Sequence, residues 1–234
     1  MNNLGVDAKD DGRWHEAIDL YTRSRDARDL IGDVVGAATA SNNIAEILSD
    51  QGHLDEAEQL FDDVLRVWRR ADFAIGIAIA TSYLGRLKAR RGEFDESREL
   101  LGEALERFRD IGAAHYVLET QVFQLESDLL SGRPDTLADV EALIVTAEEM
   151  DDVLLRNILL RMQAWGLEQR GRHEEAMAVA DAAIRAGEEA RTPFELALAH
   201  ILRGQLMRAN GEDRRPDHDR ARGILEDLGV VSLP

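Results

Sequence analysis

Six glycines divide the chain at a nearly constant interval. Gly12, Gly52, Gly92, Gly132, Gly171 and Gly211 are separated by 40, 40, 40, 39 and 40 residues. Their surroundings recur with them: DDGRWHEA, DQGHLDEA and RRGEFDES around the first three, QRGRHEEA around the fifth. Chance does not produce spacing this regular. A fixed period of about 20–50 residues marks a stacked-repeat chain, in which each unit covers its apolar face only by leaning on its neighbours.

Each period reads as two helices. Apolar residues recur at helical spacing before and after every glycine, and no strand-like alternation interrupts them. The first helices of the pairs are predicted at 2–11, 34–51, 73–91, 114–131, 152–170 and 193–210. The second helices are predicted at 14–31, 54–70, 94–111, 135–149, 173–190 and 217–228. The recurring glycine falls just past each first helix, where a left-handed residue ends it. Gly32 and Gly112, 80 residues apart, end second helices in the same way. Pro193 and Pro216 fall where a first helical position tolerates a missing amide.

Composition agrees and removes several function classes. The 234 residues are 44% hydrophobic, enough for a core, with 5% aromatics and four prolines, which favours helices over strands. A net charge of −18 makes nucleic acid and anionic membrane poor partners. The absence of cysteine removes disulfides, thiolate metal sites and cysteine nucleophiles. No signal peptide or membrane-spanning run is visible, so the expected location is the cytoplasm.

Small and large residues recur in fixed order around each glycine. Leu4-Gly5, Ile44-Ala45 and Tyr83-Leu84-Gly85 precede it. Trp14, Leu54 and Phe94 follow, then Ala17, Ala57 and Ser97, then Tyr21, Phe61 and Leu101. This pattern resembles the tetratricopeptide repeat across essentially the whole chain. In repeat four the stretch 131–140 is out of register by about one residue, and repeat six has a short second helix. Close approach of Gly5, Ala45 and Gly85 to Ala17, Ala57 and Ser97 would let the paired helices pack tightly. The period exceeds the commoner one of about 34, which lengthens each pair by up to about 9 Å. The segment 30–51 and the ending ARGILEDLGVVSLP resemble the C-terminal arrays of actinobacterial ATPase- and cyclase-type signalling proteins. Twenty-six of the 28 basic residues are arginine, as GC-rich coding would give.

The resemblance implies an all-α, right-handed solenoid of six helix pairs forming one domain, 1–234. Its repeats run approximately 1–32, 33–72, 73–112, 113–151, 152–191 and 192–229. Met1 aligns with the fourth position of the opening helix, so the chain is expected to be the C-terminal part of something longer. Leu4, Trp14 and Ile18 should then have little cover, which would favour association into a homo-oligomer.

No nucleophile elbow or phosphate-binding loop is present. His15, His53 and His173 fall at inter-helix turns as ordinary surface residues, and Asp217-His218-Asp219 reads as a helix start. No metal, no cofactor and no catalytic residue is expected. Binding is expected instead on the inward face of the first helices, which stacking leaves unused. There the repeat register places Asn2, Asn42, Glu46, Ser49, Asp50, Ser82, Arg86, Arg90, Val122, Glu126, Arg161, Trp165 and Glu168.

Asn3 and Asn43 share one position in consecutive repeats. By resemblance to kinesin light chain-like arrays, such asparagines bond a peptide backbone; alternatively they bond the neighbouring helix. Arg86 and Arg90 form a local basic spot for an acidic ligand, or else pair with Glu46 or Asp50. Trp165 is either an anchor or packing. Ile79 and Tyr83 stand where clamp-type tetratricopeptide domains carry basic residues, which argues against binding of acidic C-terminal tails. The expected function is therefore a non-catalytic module of a bacterial signalling protein, binding a peptide or partner domain. A free-standing adaptor that self-associates is the alternative.

Overall fold

The computed structural model describes residues 2–133, 136–209, 211 and 214–233. Among them the chain is all-α, with no strand. The helices are α1 (Asn2–Asp10), α2 (Trp14–Leu30), α3 (Val34–Gln51), α4 (Leu54–Arg70), α5 (Ala74–Arg90) and α6 (Phe94–Ile111). They continue with α7 (Ala114–Leu130), α8 (Leu137–Glu149), α9 (Val153–Gln169), α10 (His173–Ala190), α11 (Pro193–Ala209) and α12 (Arg215–Leu228). Each expected helix is found within two residues of its predicted limits. The expected first residue at 135 and last residue at 210 lie outside the described residues. Pro193 opens its helix, whereas Pro216 is the second residue of α12. Its missing amide falls among those a helix start leaves unbonded anyway.

The turns explain the period. Gly12, Gly52, Gly92, Gly132, Gly171 and Gly211 all have positive φ, from 70° to 88°. The amide after the left-handed residue bonds back five residues: His53 N–H donates to the Leu48 carbonyl at 2.9 Å, and Arg13 N–H to that of Ala8 at 2.8 Å. This caps the carbonyls that a helix end leaves open. The turns between repeats use the same device, but glycine is replaced at three of them by Asp72, Asp151 and Arg191, with φ of 53°, 55° and 52°.

Two compact units form. Unit 1 comprises residues 1–132 with 229–234, and unit 2 residues 133–228. In unit 1 helices α1 to α7 pack each on the next, with added contact between first helices α3 and α5 and between α5 and α7. Its central core gathers Ala45, Ala57, Phe61, Leu65, Trp68, Leu84 and Leu87. In unit 2 helices α8 to α12 pack in sequence, and α9 also touches α11. One of its cores joins Leu137, Ala164, Leu167, Ala176, Leu202 and Leu206. The unit boundary falls at Gly132, inside the stretch where the repeat slips register.

Two packing expectations need correction. At Gly5 and Gly85 the atoms nearest a would-be Cβ belong to Tyr21 (2.6 Å) and Leu101 (2.8 Å), not to Ala17 and Ser97. The glycines make room for large side chains one turn further along the second helix. Ser97 instead donates to the Ser127 hydroxyl on α7. At the chain start, Leu4 is 57% exposed, but Trp14 is buried, its indole N–H donating to the Lys9 carbonyl.

Within unit 1, residues 229–233 lie against the α3–α4 turn. Val231 N–H donates to the Gln51 carbonyl at 2.8 Å. Ser232 atoms stand 2.3–2.9 Å from where a Cβ on Gly52 would be.

Candidate partner-binding groove

The first helices of unit 1 carry polar residues on the face their second helices do not cover. A 3.6-residue turn puts Thr39, Asn42, Glu46 and Asp50 on one face of α3, and Ile79, Ser82, Arg86 and Arg90 on the matching face of α5. The equivalent residues of α7 are Glu119, Val122 and Glu126.

These residues bind one another across repeats. Lys9 pairs with Glu46 at 2.6 Å, and Glu46 also accepts from the Asn42 amide at 2.7 Å. Burial opposes the charge on Lys9, but Glu46, with Asp50 behind it, overcomes this and holds the ammonium above its ordinary pKa. Arg86 reaches Glu126 at 2.6 Å and Asp50 at 3.6 Å, and its guanidinium lies 4.5 Å from the centre of the Phe123 ring. Arg90 pairs with Asp50 at 2.7 Å and donates to the Ser49 carbonyl at 3.1 Å. Ser82 and Thr120 share a buried hydrogen bond of 3.0 Å. The side chains of Arg86 and Arg90 are only 9% and 2% exposed. The arginines thus have the Asp50 pairing that was the alternative to a free basic spot.

The other expected site residues separate. Asn43 is hydrogen-bonded to the Tyr21 hydroxyl, whose pKa burial pushes up to about 12, with Lys9 opposing and Glu46 adding to the shift. That is the neighbouring-helix alternative for this asparagine. Asn3 is exposed on α1. Trp165 belongs to unit 2, half-buried against the cluster of Leu137, Ala164 and Leu167. Also in unit 2, Arg161 pairs with Glu195 at 3.1 Å, and Glu168 with His173 at 2.7 Å.

Three unexpected features emerge. Glu119, forty residues after Ile79, accepts from the Tyr83 hydroxyl at 3.0 Å. Burial and then the Glu46 charge raise its pKa. The amide oxygens of Asn2 and Asn42 are buried without a hydrogen-bond partner. Equivalence by the forty-residue period was the signal that could have marked Glu119, but its counterparts Thr39 and Ile79 carry no charge.

Elsewhere, Asp217 is buried and anchors a polar cluster: His200 Nδ1 lies 2.6 Å away and Arg203 Nη2 2.7 Å. Burial raises its pKa, but these two partners prevail and hold it below the usual value. Among the described residues no group of three or more metal-ligand side chains converges, and no helix is long and apolar enough to cross a membrane.

A comparison with curated proteins returned no match. Among solved structures, the chain resembles the crystal structure of BtubC (BKLC) from P. vanneervenii. The TM-score is 0.60 at 16% identity, over 93% of this chain and 92% of that one. At that identity the likeness is one of fold. In sequence, residues 1–70 and 36–110 match the tetratricopeptide repeat family, just under half of the chain. Residues 1–110 are therefore similar to the tetratricopeptide repeat.

Proposed function

We propose that unit 1 is a protein-interaction module that takes an extended peptide or partner loop on the inner face of α1, α3, α5 and α7. Tetratricopeptide repeats generally serve protein–protein interaction. The observation that carries the reading for this chain is the pair Asn2 and Asn42. They lie forty residues apart at one repeat position, and each holds a buried amide oxygen with no partner. A buried acceptor left unbonded costs about 1–3 kcal/mol, which a ligand N–H would recover. Asn43 and the arginines then support the groove wall rather than touch the ligand, because their polar groups engage Tyr21, Asp50 and Glu126.

A bacterial signalling protein in the cytoplasm remains the proposed setting, supported by the resemblance of segment 30–51 to actinobacterial arrays. Self-association is a second reading, favoured by the exposed cluster Leu30, Ile31 and Val34, at 88%, 79% and 56%.

Screening the full chain against immobilised peptides, then titrating the best binder in solution, tests the groove. Asn42→Ala is expected to weaken binding by about 1 kcal/mol, or fivefold. Glu99→Ala on α6 is expected to leave it unchanged. Equal losses from both would move the interface off the inner face.

A further inference from the structure

The charges of the groove divide unequally. Three cations, Lys9, Arg86 and Arg90, are each held at 2.6–2.7 Å by Glu46, Glu126 and Asp50 respectively. Glu119 is the fourth carboxylate, and His115 and Lys9 offset its charge only in part. Its single hydrogen bond comes from a neutral phenol, and its strongest charged neighbour is Glu46, of like sign. Holding a part-buried carboxylate that feels the charge of another is costly, and Tyr83, His115 and Lys9 relieve that only in part, so the site can take a further cation. An independent observation points the same way. The Asn42 side chain donates to Glu46 while its own oxygen, on a residue 2% exposed, has no donor. Around Asn42 and Glu119 the groove offers acceptors to a cationic donor, while Arg90 Nε and Nη2, nearer the ends of α3 and α5, have no acceptor.

The neighbouring surface suits a long basic side chain. Ile79 on α5 and Tyr116 on α7 are both half-buried and pack on one cluster with Phe108. Tyr116 stands three residues before Glu119, less than one helical turn away. Lysine and arginine lay their methylene stems along such surface while the charged head reaches a carboxylate.

We propose that the groove of unit 1 recognises a basic peptide, with one lysine or arginine head pairing with Glu119 and its stem lying on Ile79 and Tyr116. This rests on the groove reading above and reverses the acidic-ligand expectation drawn from Arg86 and Arg90. The net charge of −18 favours approach of such a ligand.

The test titrates the full chain with blocked heptapeptides identical except for a central lysine, arginine, N-acetyl-lysine or glutamate. Binding is followed by calorimetry and by the amide resonances of α3, α5 and α7. Lysine and arginine peptides are expected to bind about tenfold tighter than the other two at physiological salt, as one charged hydrogen bond allows. Glu119→Gln should erase that preference, and Glu99→Gln should leave it intact. Glu119→Lys should transfer the preference to the glutamate peptide, and each variant's Tm verifies its fold. Equal affinity for lysine and acetyl-lysine, or equal losses in the Glu99 and Glu119 variants, overturns the proposal while leaving a groove that binds. If no peptide moves the resonances of the inner helices, the groove reading falls with it.

Discussion

Arg86 is confined by Asp50, Glu126 and the Phe123 ring, so its removal takes the 2.6 Å ion pair from a largely buried Glu126, while Asp50 keeps Arg90. Breaking a buried ion pair from one side costs about 3–5 kcal/mol. Urea unfolding of Arg86→Ala is expected to show a loss of that size, and a loss below about 1 kcal/mol would mean the network is solvent-screened. Glu119 is the opposite case. Burial and Glu46 raise its folded pKa, with Tyr83, His115 and Lys9 only partly opposing. The folded chain therefore holds this proton more tightly than the unfolded one, and ionised Glu119 destabilises the fold. That penalty is present above the folded pKa and disappears as pH falls through it toward the unfolded value of about 4.3. Glu119→Gln should accordingly raise Tm at pH 7, with a gain that shrinks on acidification. Melts of both proteins from pH 7 to pH 4 check this; a pH-independent difference would contradict it. The forty-residue period made Asp50 and Arg90 recognisable as neighbours. Charge alone could not tell paired Glu126 from unpaired Glu119, because the difference lies in which cation each can reach.

Helix ends were legible because their chemistry is local. A glycine after an apolar run needs only its own φ, and each expected first-helix stop became a left-handed glycine. The turns at Asp72, Asp151 and Arg191 were less visible, because non-glycine residues take the same conformation there at a cost of about 1–2 kcal/mol each. Arg191→Gly removes that strain but frees the unfolded chain, leaving an expected net gain of about 1 kcal/mol. Thermal melts measure it, and a fall in Tm would show that the Arg191 side chain contributes more than its backbone costs. Close packing between helices was only partly legible. The small residues at Gly5 and Gly85 were evident, but the large partners Tyr21 and Leu101 were not, since periodicity does not say which turn of a partner helix comes nearest. Ala57 is fully buried between α3 and α4 in the central core of unit 1. Ala57→Leu should overpack it by about 1–3 kcal/mol, and Ala57→Arg should cost more by burying a charge. Unchanged melting in both would refute the helix register.

At the scale of the molecule, the repeat period announced twelve helices in pairs, yet gave no sign of how the chain divides into compact units. The division lies at Gly132, where register slips and α8 starts three residues later than its period requires. The groove face was legible as a set of positions. Its occupancy was not, because Lys9, Asp50 and Glu126 pair with Glu46 and the arginines from within the chain. Residues that looked available for a partner join repeats instead, and on this face Asn2 and Asn42 keep acceptors without a donor while Glu119 has the Tyr83 hydroxyl. The most direct measurement is amide chemical-shift mapping of the full chain saturated with the lysine heptapeptide. The perturbed amides are expected to cluster at Thr39, Asn42, Ile79 and Glu119 on the first helices, with the outer residues of α4 and α6 unmoved. Perturbations concentrated on α2, α4 and α6, or on the exposed turn at Leu30 and Ile31, would contradict it.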